Sequence, residues 1–334
     1  MKTLAIIGTG SWGTALSIVL APRFPAIRLW VYEKDLARRM SRLRENDIFL
    51  PGFQLTSNVT VGTEFEEVLS GADIVLGVMP SHHARAMYSG MRPHLKPSMV
   101  IVSASKGIEE GTLLRTSEVI REAVGQQFKR RIAVLSGPTF AREVARGEPA
   151  AVVVASEDKD VAKTVQTAFS GPTLRLYANS DVAGVELGAA LKNVIAIGAG
   201  VCHGLGLGNN TMAALITRGL AEITRLAVAL GAKPQTLSGL AGLGDLVLTC
   251  TGELSRNRTV GLKLARGHHL DEILASTQMV AEGVRTTYAA VHLARKYGVD
   301  MPITTQMYEM LAHGKLPRDA IRELMERALK SEQE

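Results

Sequence analysis

Three glycines at a GxGxxG spacing, Gly8, Gly10 and Gly13, break the stretch LAIIGTGSWGTALSIVL where a strand-like apolar run gives way to a helix-like one. Glycine costs about 0.5 to 1 kcal/mol relative to alanine inside regular structure, so three at one junction need a local reason. A bound pyrophosphate supplies one. The first glycine permits a tight turn, the second lets the backbone approach the ligand, the third allows close packing of helix on strand, and the helix N-terminus receives the phosphates. About 20 residues on, LWVYEKD places Glu33 at the end of a second strand, where an acidic side chain hydrogen-bonds adenosine ribose hydroxyls. That favours NAD, while Lys34 and Arg38 stand close enough in sequence to meet a 2′-phosphate and keep NADP open.

A second constellation lies in VAGVELGAALKNVIAIGAGVCHG. Gly184, Gly188, Lys192, Ala196 and Ala199 recur at spacings of three or four, so one helix face carries a lysine flanked by residues with almost no side chain. Packing against another backbone explains the small residues but not the lysine; a substrate lying on that face explains both. A third candidate is ELSRNRTVGLKLARG, where Ser255 reads as a helix N-cap followed by Arg256 and Asn257 in the first turn. A helix N-terminus with an arginine suits a phosphate, and an ordinary capped helix with solvated arginines suits these residues equally well. Lys106 follows a buried strand in VSASKG, where carboxyl ends of parallel strands open onto a ligand crevice.

The elements that must hold these residues are legible in outline. Up to about residue 178, the runs TLAIIG, IRLWVY, ADIVLGV, MVIVSA, RIAVLS, AAVVVAS and TLRLY alternate with helix-like segments. Runs of Val, Ile and Leu without polar alternation predict parallel strands buried on both faces, with helical crossovers between them. The fold class is therefore α/β, with an N-terminal Rossmann-like, doubly wound, mostly parallel sheet over residues 1–179. Beyond Asn179 to Asp181 the chain turns to long Ala-, Leu- and Gly-rich segments without strand alternation, which predicts an all-α domain over 180–330.

Size and composition narrow the function. The chain has 334 residues, of which 46% are hydrophobic and 21% charged, values of a globular protein with two ordinary domains. No apolar run is read as approaching the roughly 18 residues of a bilayer span, and the start of the chain lacks the layout of a secretory signal, so a cytoplasmic protein without membrane insertion is expected. Cys202 and Cys250 cannot form a CxxC knuckle and read as buried thiols; the adjacent pairs His82-His83 and His268-His269 lack metal-site spacing. No metal is expected. The net charge of +6 has one basic run, Lys129 to Arg131, and aromatics are 4%, so a small anionic ligand accounts for the excess better than nucleic acid.

Several long motifs in order identify the chain as resembling the NAD(P)-dependent glycerol-3-phosphate dehydrogenases: GTGSWGTAL, SASKGIE, SGPTFAREVARG, LGAALKNVIAIGAGVCHGLGLGNN, GLAGLGDLVLTC and SRNRTVG. The resemblance covers nearly the whole chain. It implies interconversion of dihydroxyacetone phosphate and sn-glycerol 3-phosphate for glycerophospholipid synthesis, by a cytoplasmic homodimer whose helical domain is like the C-terminal domain of 6-phosphogluconate dehydrogenase. It assigns Lys192 as the catalytic acid/base, protonating the carbonyl oxygen as hydride arrives at the carbon. It puts Lys106, Gly137, Thr139, Asn193, Asp245, Thr249, Ser255, Arg256 and Asn257 at the substrate, with Asp245 as an electrostatic partner of Lys192. At the cofactor it puts Gly8, Gly10, Ser11, Trp12, Gly13, Tyr32, Glu33, Lys106, Ala141, Arg256, Val280 and Glu282, the last two at the nicotinamide end.

The chain departs from the resemblance at His203 and Asn209, where acidic residues are expected in many relatives, and VYEKD lacks the arginine associated with NADP preference. A β-hydroxyacid dehydrogenase would also join a Rossmann domain to a helical domain with a catalytic lysine and neighbouring asparagine, but SRNR and GLAGLGDL argue against it. Retention of Lys192, Arg256 and Asn257 argues against a catalytically inactive dinucleotide sensor.

Overall fold

The computed structural model describes residues 2–276, 281–329 and 331–332. Ten strands form: β1 (Thr3–Ile7), β2 (Ala26–Trp30), β3 (Glu45–Asn46), β4 (Leu50–Gln54), β5 (Val59–Gly62), β6 (Ile74–Gly77), β7 (Val100–Ser103), β8 (Ile132–Ser136), β9 (Ala150–Ala155) and β10 (Leu174–Asn179). Eight of them make one sheet in the order β10-β9-β8-β7-β6-β1-β2-β5, and β3 and β4 form a separate hairpin. The chain runs from β1 outward to β2 and β5, then returns to the other side of β1 at β6. That reversal creates the crevice at which ligands bind in doubly wound sheets.

The continuous apolar runs follow from burial on both faces. Along β1, Leu4 and Ile6 enter one core while Ala5 and Ile7 enter the opposite one, and all four are fully buried. One expectation is corrected here: β8 and β9 pair antiparallel, Val134 opposite Ala155, so β9 and β10 run against the other six strands. An apolar run such as AAVVVAS reports burial and is silent on direction, because both faces are covered either way. The sequence reading also omits β5 and the β3–β4 hairpin, whose polar and half-exposed residues carry no buried-strand signature.

Past Asn179 the described elements are helices. Asp181 caps the first of them, accepting from Gly184 N at 2.8 Å and from Lys233 N at 2.8 Å. This helix, Val182–Gly204, is apolar and long enough to span a bilayer by length and hydropathy, contrary to the reading that no such run exists. Its apolar stretch is buried inside the protein, and helices Asn209–Ala229, Asp245–Thr251, Arg256–Ala265 and Glu282–Tyr297 pack around it. Its glycines serve that packing. A Cβ at Gly200 would lie 1.9 Å from Arg258 O, and one at Gly261 would lie 1.9 Å from Ile197 O, so the two backbones touch through reciprocal glycines.

Candidate functional site

The parallel strands β1, β6 and β7 stop at one edge of the sheet, where Val78 N donates to Ile7 O and Ala104 N to Gly77 O, both at 2.8 Å. The glycine turn opens there. Gly8 has φ +114°, and a Cβ on it would lie 2.3 Å from Val78 O; a Cβ on Gly13 would lie 2.0 Å from Gly8 O. A Cβ on Gly10, by contrast, would meet no atom of the described residues within 4 Å beyond its chain neighbours and its own helix. Two of the glycines are thus required by the protein's own packing, and the third faces open space at the start of helix Ser11–Val19, the division of labour expected of a phosphate turn. The residues present fit a dinucleotide.

Of the other residues assigned to the cofactor, Ser11 donates its hydroxyl to Phe49 O at 2.6 Å and Trp12 packs half-buried against the core. Tyr32 is 76% exposed at the end of β2. Glu33 is the exposed N-cap residue of helix Lys34–Leu43, and its carboxylate is not spent on capping. The nearby cations both have acidic neighbours: Lys34 lies 4.0 Å from Glu64, and Arg38 is bonded to Asp35. Ala141 starts the short helix Ala141–Ala145, which packs beside the glycine-turn helix.

Next along the edge, two lysines converge on one carboxylate. Lys192 Nζ is 2.7 Å from Asp245 Oδ1, and Lys106 Nζ is 2.6 Å from Asp245 Oδ2. Lys106 comes from the end of β7 and Lys192 from the buried helix, so Asp245 ties the sheet to the helical half. The Thr249 hydroxyl accepts from Lys192 at 2.5 Å and donates to Asp245 O at 2.6 Å. Lys106 also donates to Gly137 O at 3.3 Å, as does Thr139 Oγ1 at 3.2 Å. Gly137 has φ +152°, and a Cβ there would lie 2.8 Å from Val152 Cα, so the turn needs glycine.

Burial is the largest influence on Lys192 and lowers its ammonium pKa to about 8; Asp245 opposes that and Lys106 reinforces it. A primary amine poised near neutrality suits proton transfer in either direction.

Asn193 and Asn257 join through their amides, Asn257 Nδ2 donating to Asn193 Oδ1 at 2.9 Å, while Asn257 Oδ1 accepts from Gly283 N at 2.9 Å. With these contacts made, Asn193 Nδ2 is the donor end of the chain, and it makes a long contact to Ala189 O at 3.5 Å. Ser255 is the N-cap of helix Arg256–Ala265, accepting from Arg258 N at 3.3 Å. Arg256 is solvent-exposed, yet surrounding protein lowers its guanidinium pKa, and the Glu282 carboxylate pulls the other way.

Glu282 is held by Ser81: it accepts from Ser81 N at 3.0 Å and Ser81 Oγ at 2.6 Å, bridging the turn after β6 to helix Glu282–Tyr297. A Cβ on Gly107, next to Lys106, would lie 2.3 Å from Ser81 Oγ and 3.1 Å from Glu282 Oε2, so this bridge lies beside the lysine pair. Ser81 was missed in the sequence; its position just past a buried strand end, in VMPSHH, was the available signal. Val280 lies outside the described residues.

The small-residue face of the lysine helix is not the substrate bed expected of it. A Cβ on Gly188 would lie 2.8 Å from Ala241 O, so this position is closed by the segment that carries Asp245, and Ala196 and Ala199 are fully buried. The small residues let that segment approach, and the approach delivers Asp245 to Lys192. His203 and Asn209 are exposed at the junction of two helices. Cys202 and Cys250 are buried free thiols, and no His/Cys/Asp/Glu group able to hold a metal occurs among the described residues.

Two family models cover the chain: the one described as NAD-dependent glycerol-3-phosphate dehydrogenase N-terminus matches residues 3–162, and its C-terminus counterpart matches 181–322. The glycerol-3-phosphate dehydrogenase [NAD(P)+] of Koribacter versatilis is 57% identical over 98% of each chain. That of Geobacter sp. strain M21 is 53% identical over 99% of each. The crystal structure of glycerol-3-phosphate dehydrogenase from Coxiella burnetii superposes with a TM-score of 0.92 at 39% identity, over 98% of this chain and 99% of that one.

Proposed function

The chain belongs to the NAD-dependent glycerol-3-phosphate dehydrogenase family, and from that membership we propose that it reduces dihydroxyacetone phosphate to sn-glycerol 3-phosphate, reversibly, with NAD(P)H, in a reaction carried by Lys192. In this reading residues 1–179 hold the dinucleotide and 180–330 hold the substrate and the proton. The observation that supports it most is the buried Lys192–Asp245–Lys106 arrangement at the mouth of the crevice that the glycine turn opens.

A reduced nicotinamide dinucleotide bound at the glycine turn would supply the hydride for the carbonyl carbon. Lys192, as an ammonium, gives a proton to the carbonyl oxygen as negative charge develops there, and as an amine it takes the proton back in the oxidation. Asp245 keeps the ammonium directed and counterbalances its burial. Lys106 sets a second positive charge beside the developing alkoxide. Asn193 Nδ2, oriented by Asn257 and Gly283, donates to a substrate oxygen, and Gly137 and Thr139 line the site beside Lys106. Arg256, with the helix N-terminus capped by Ser255, holds the dianionic phosphate. Gly8, Gly10, Ser11, Trp12 and Gly13 hold the pyrophosphate through backbone and packing, while Tyr32 and Glu33 take the adenosine end; Ala141, Glu282 and Val280 complete the cofactor site. A cytoplasmic homodimer feeding glycerophospholipid synthesis completes the reading and rests on the family alone.

The test is consumption of NADH or NADPH, followed at the nicotinamide absorbance band, with dihydroxyacetone phosphate against a non-phosphorylated hydroxyacid or its keto form. Turnover with the phosphorylated ketone alone is expected. Turnover with the other pair, or with neither, overturns the assignment in favour of a hydroxyacid dehydrogenase or an inactive dinucleotide sensor.

A further inference from the structure

The β3–β4 hairpin lies outside the main sheet, yet it reaches the glycine turn through one fully buried polar side chain, Asn46. Both amide hydrogens are spent on the turn and its helix: Asn46 Nδ2 donates to Thr9 O at 2.8 Å and to Thr14 Oγ1 at 2.8 Å. Its Oδ1 accepts from Phe49 N at 3.0 Å, and Phe49 O in turn accepts from Ser11 Oγ at 2.6 Å. Three residues in and around the GxGxxG segment, Thr9, Ser11 and Thr14, are thereby fastened to the hairpin.

The bond to Thr9 has a directional consequence. A peptide unit is planar and trans, so its C=O and the following N–H point in opposite directions. With Thr9 C=O held toward Asn46, the Gly10 N–H is turned the other way, away from the hairpin. Gly10 is also the one fingerprint glycine at which an added Cβ would meet open space. We infer that Asn46 is a positioning residue for the cofactor: by holding the Thr9 carbonyl it presets the Gly10 amide as a donor to the dinucleotide pyrophosphate, so the amide need not be ordered at binding. This rests on the glycine turn being the cofactor site. Asn46 touches no ligand itself, and nothing in its own spacing announces the role, because its partners lie 32 to 37 residues away.

Asn46→Ala tests it. Titration of NADH by fluorescence, and of ADP-ribose by calorimetry, is expected to show affinity lowered about tenfold, the scale of losing a buried amide's bonds. The KM for NADH should rise with it, while kcat at saturating NADH and the KM for dihydroxyacetone phosphate stay within twofold. If Asn46→Ala does not fold, Asn46→Asp keeps the shape and the acceptor for Phe49 N but removes both donors, and carries the same expectation. A folded variant with NADH and ADP-ribose affinities within twofold of the parent overturns the inference, as does a variant whose melting temperature falls while its KM for NADH is unmoved. Failure of the parent protein to bind NADH would instead remove the cofactor reading on which the inference stands.

Discussion

The Lys192 ammonium lies 2.7 Å from the Asp245 carboxylate, with both side chains almost closed to water, and the other oxygen of that carboxylate is held by Lys106 at 2.6 Å. One anion between two cations leaves a net positive charge at the end of the crevice, where an alkoxide would develop. Isolated buried charges are costly; this group offsets much of that cost internally and spends its surplus charge on the reaction.

Lys192→Ala is expected to fold, since alanine suits a helix already rich in glycine and alanine and Asp245 keeps Lys106 and Thr249 as partners. The rate of reduction should fall by about 10²- to 10⁴-fold, the usual worth of a general acid. Thermal melting and NADH titration check the fold; a folded variant retaining more than about a tenth of the parent kcat would assign the proton to another residue.

Because burial lowers Lys192 to about 8, reduction should be level below that pH and decline above it as the ammonium is lost, whereas oxidation should rise through the same range. Asp245 favours the ammonium, so Asp245→Asn should move the alkaline limb of reduction to lower pH by about one unit or more. Single-turnover rates across pH 6 to 10, an interval chosen to span about two units either side of that midpoint, decide it; an unshifted limb in the variant disconnects the profile from this pair.

Arg256→Ala should raise the KM for dihydroxyacetone phosphate while changing NADH affinity less. Loss of a charged partner costs about 2 to 5 kcal/mol when buried, and the exposure of Arg256 places the effect near the lower end. Unaltered KM and kcat would remove Arg256 from the phosphate site.

NADH should be accepted, because the free carboxylate of Glu33 pairs with ribose hydroxyls and repels a 2′-phosphate, while Lys34 and Arg38 already have acidic neighbours. Glu33→Ala should move the ratio of kcat/KM values toward NADPH. Efficient NADPH use without measurable NADH turnover in the parent would contradict this.

Gly200→Ala should lower stability by about 1 to 3 kcal/mol, the range for overpacking, with the upper end expected because the obstacle is the Arg258 backbone. Calorimetric melting measures it; a variant as stable as the parent would mean that helix Arg256–Ala265 moves aside without cost.

What the sequence alone determined is local in character. The glycine turn could be read because its three requirements, tight φ, open approach and close packing, fall within six residues, and strand burial could be read because both faces of each strand are covered. Lys192 stood out as a charge in an otherwise small and apolar run, and Ser255 as a cap ahead of an arginine.

Tertiary structure decided whatever depends on residues far apart in the chain. Strand direction in β9 and β10 is set by where the connections run, which an apolar run does not encode. The pairing of Lys192 with Asp245 spans 53 residues and that of Lys106 with Asp245 spans 139, and the lowered pKa of the lysine follows from burial that exists only once the helices have packed. The small-residue face of the lysine helix turned out to admit a backbone rather than a substrate, because periodicity shows which residues share a face and only packing shows what covers it. Asn46 is the extreme case: a polar residue in a turn-rich stretch, unremarked in sequence, whose position is fixed by bonds to a segment more than thirty residues earlier.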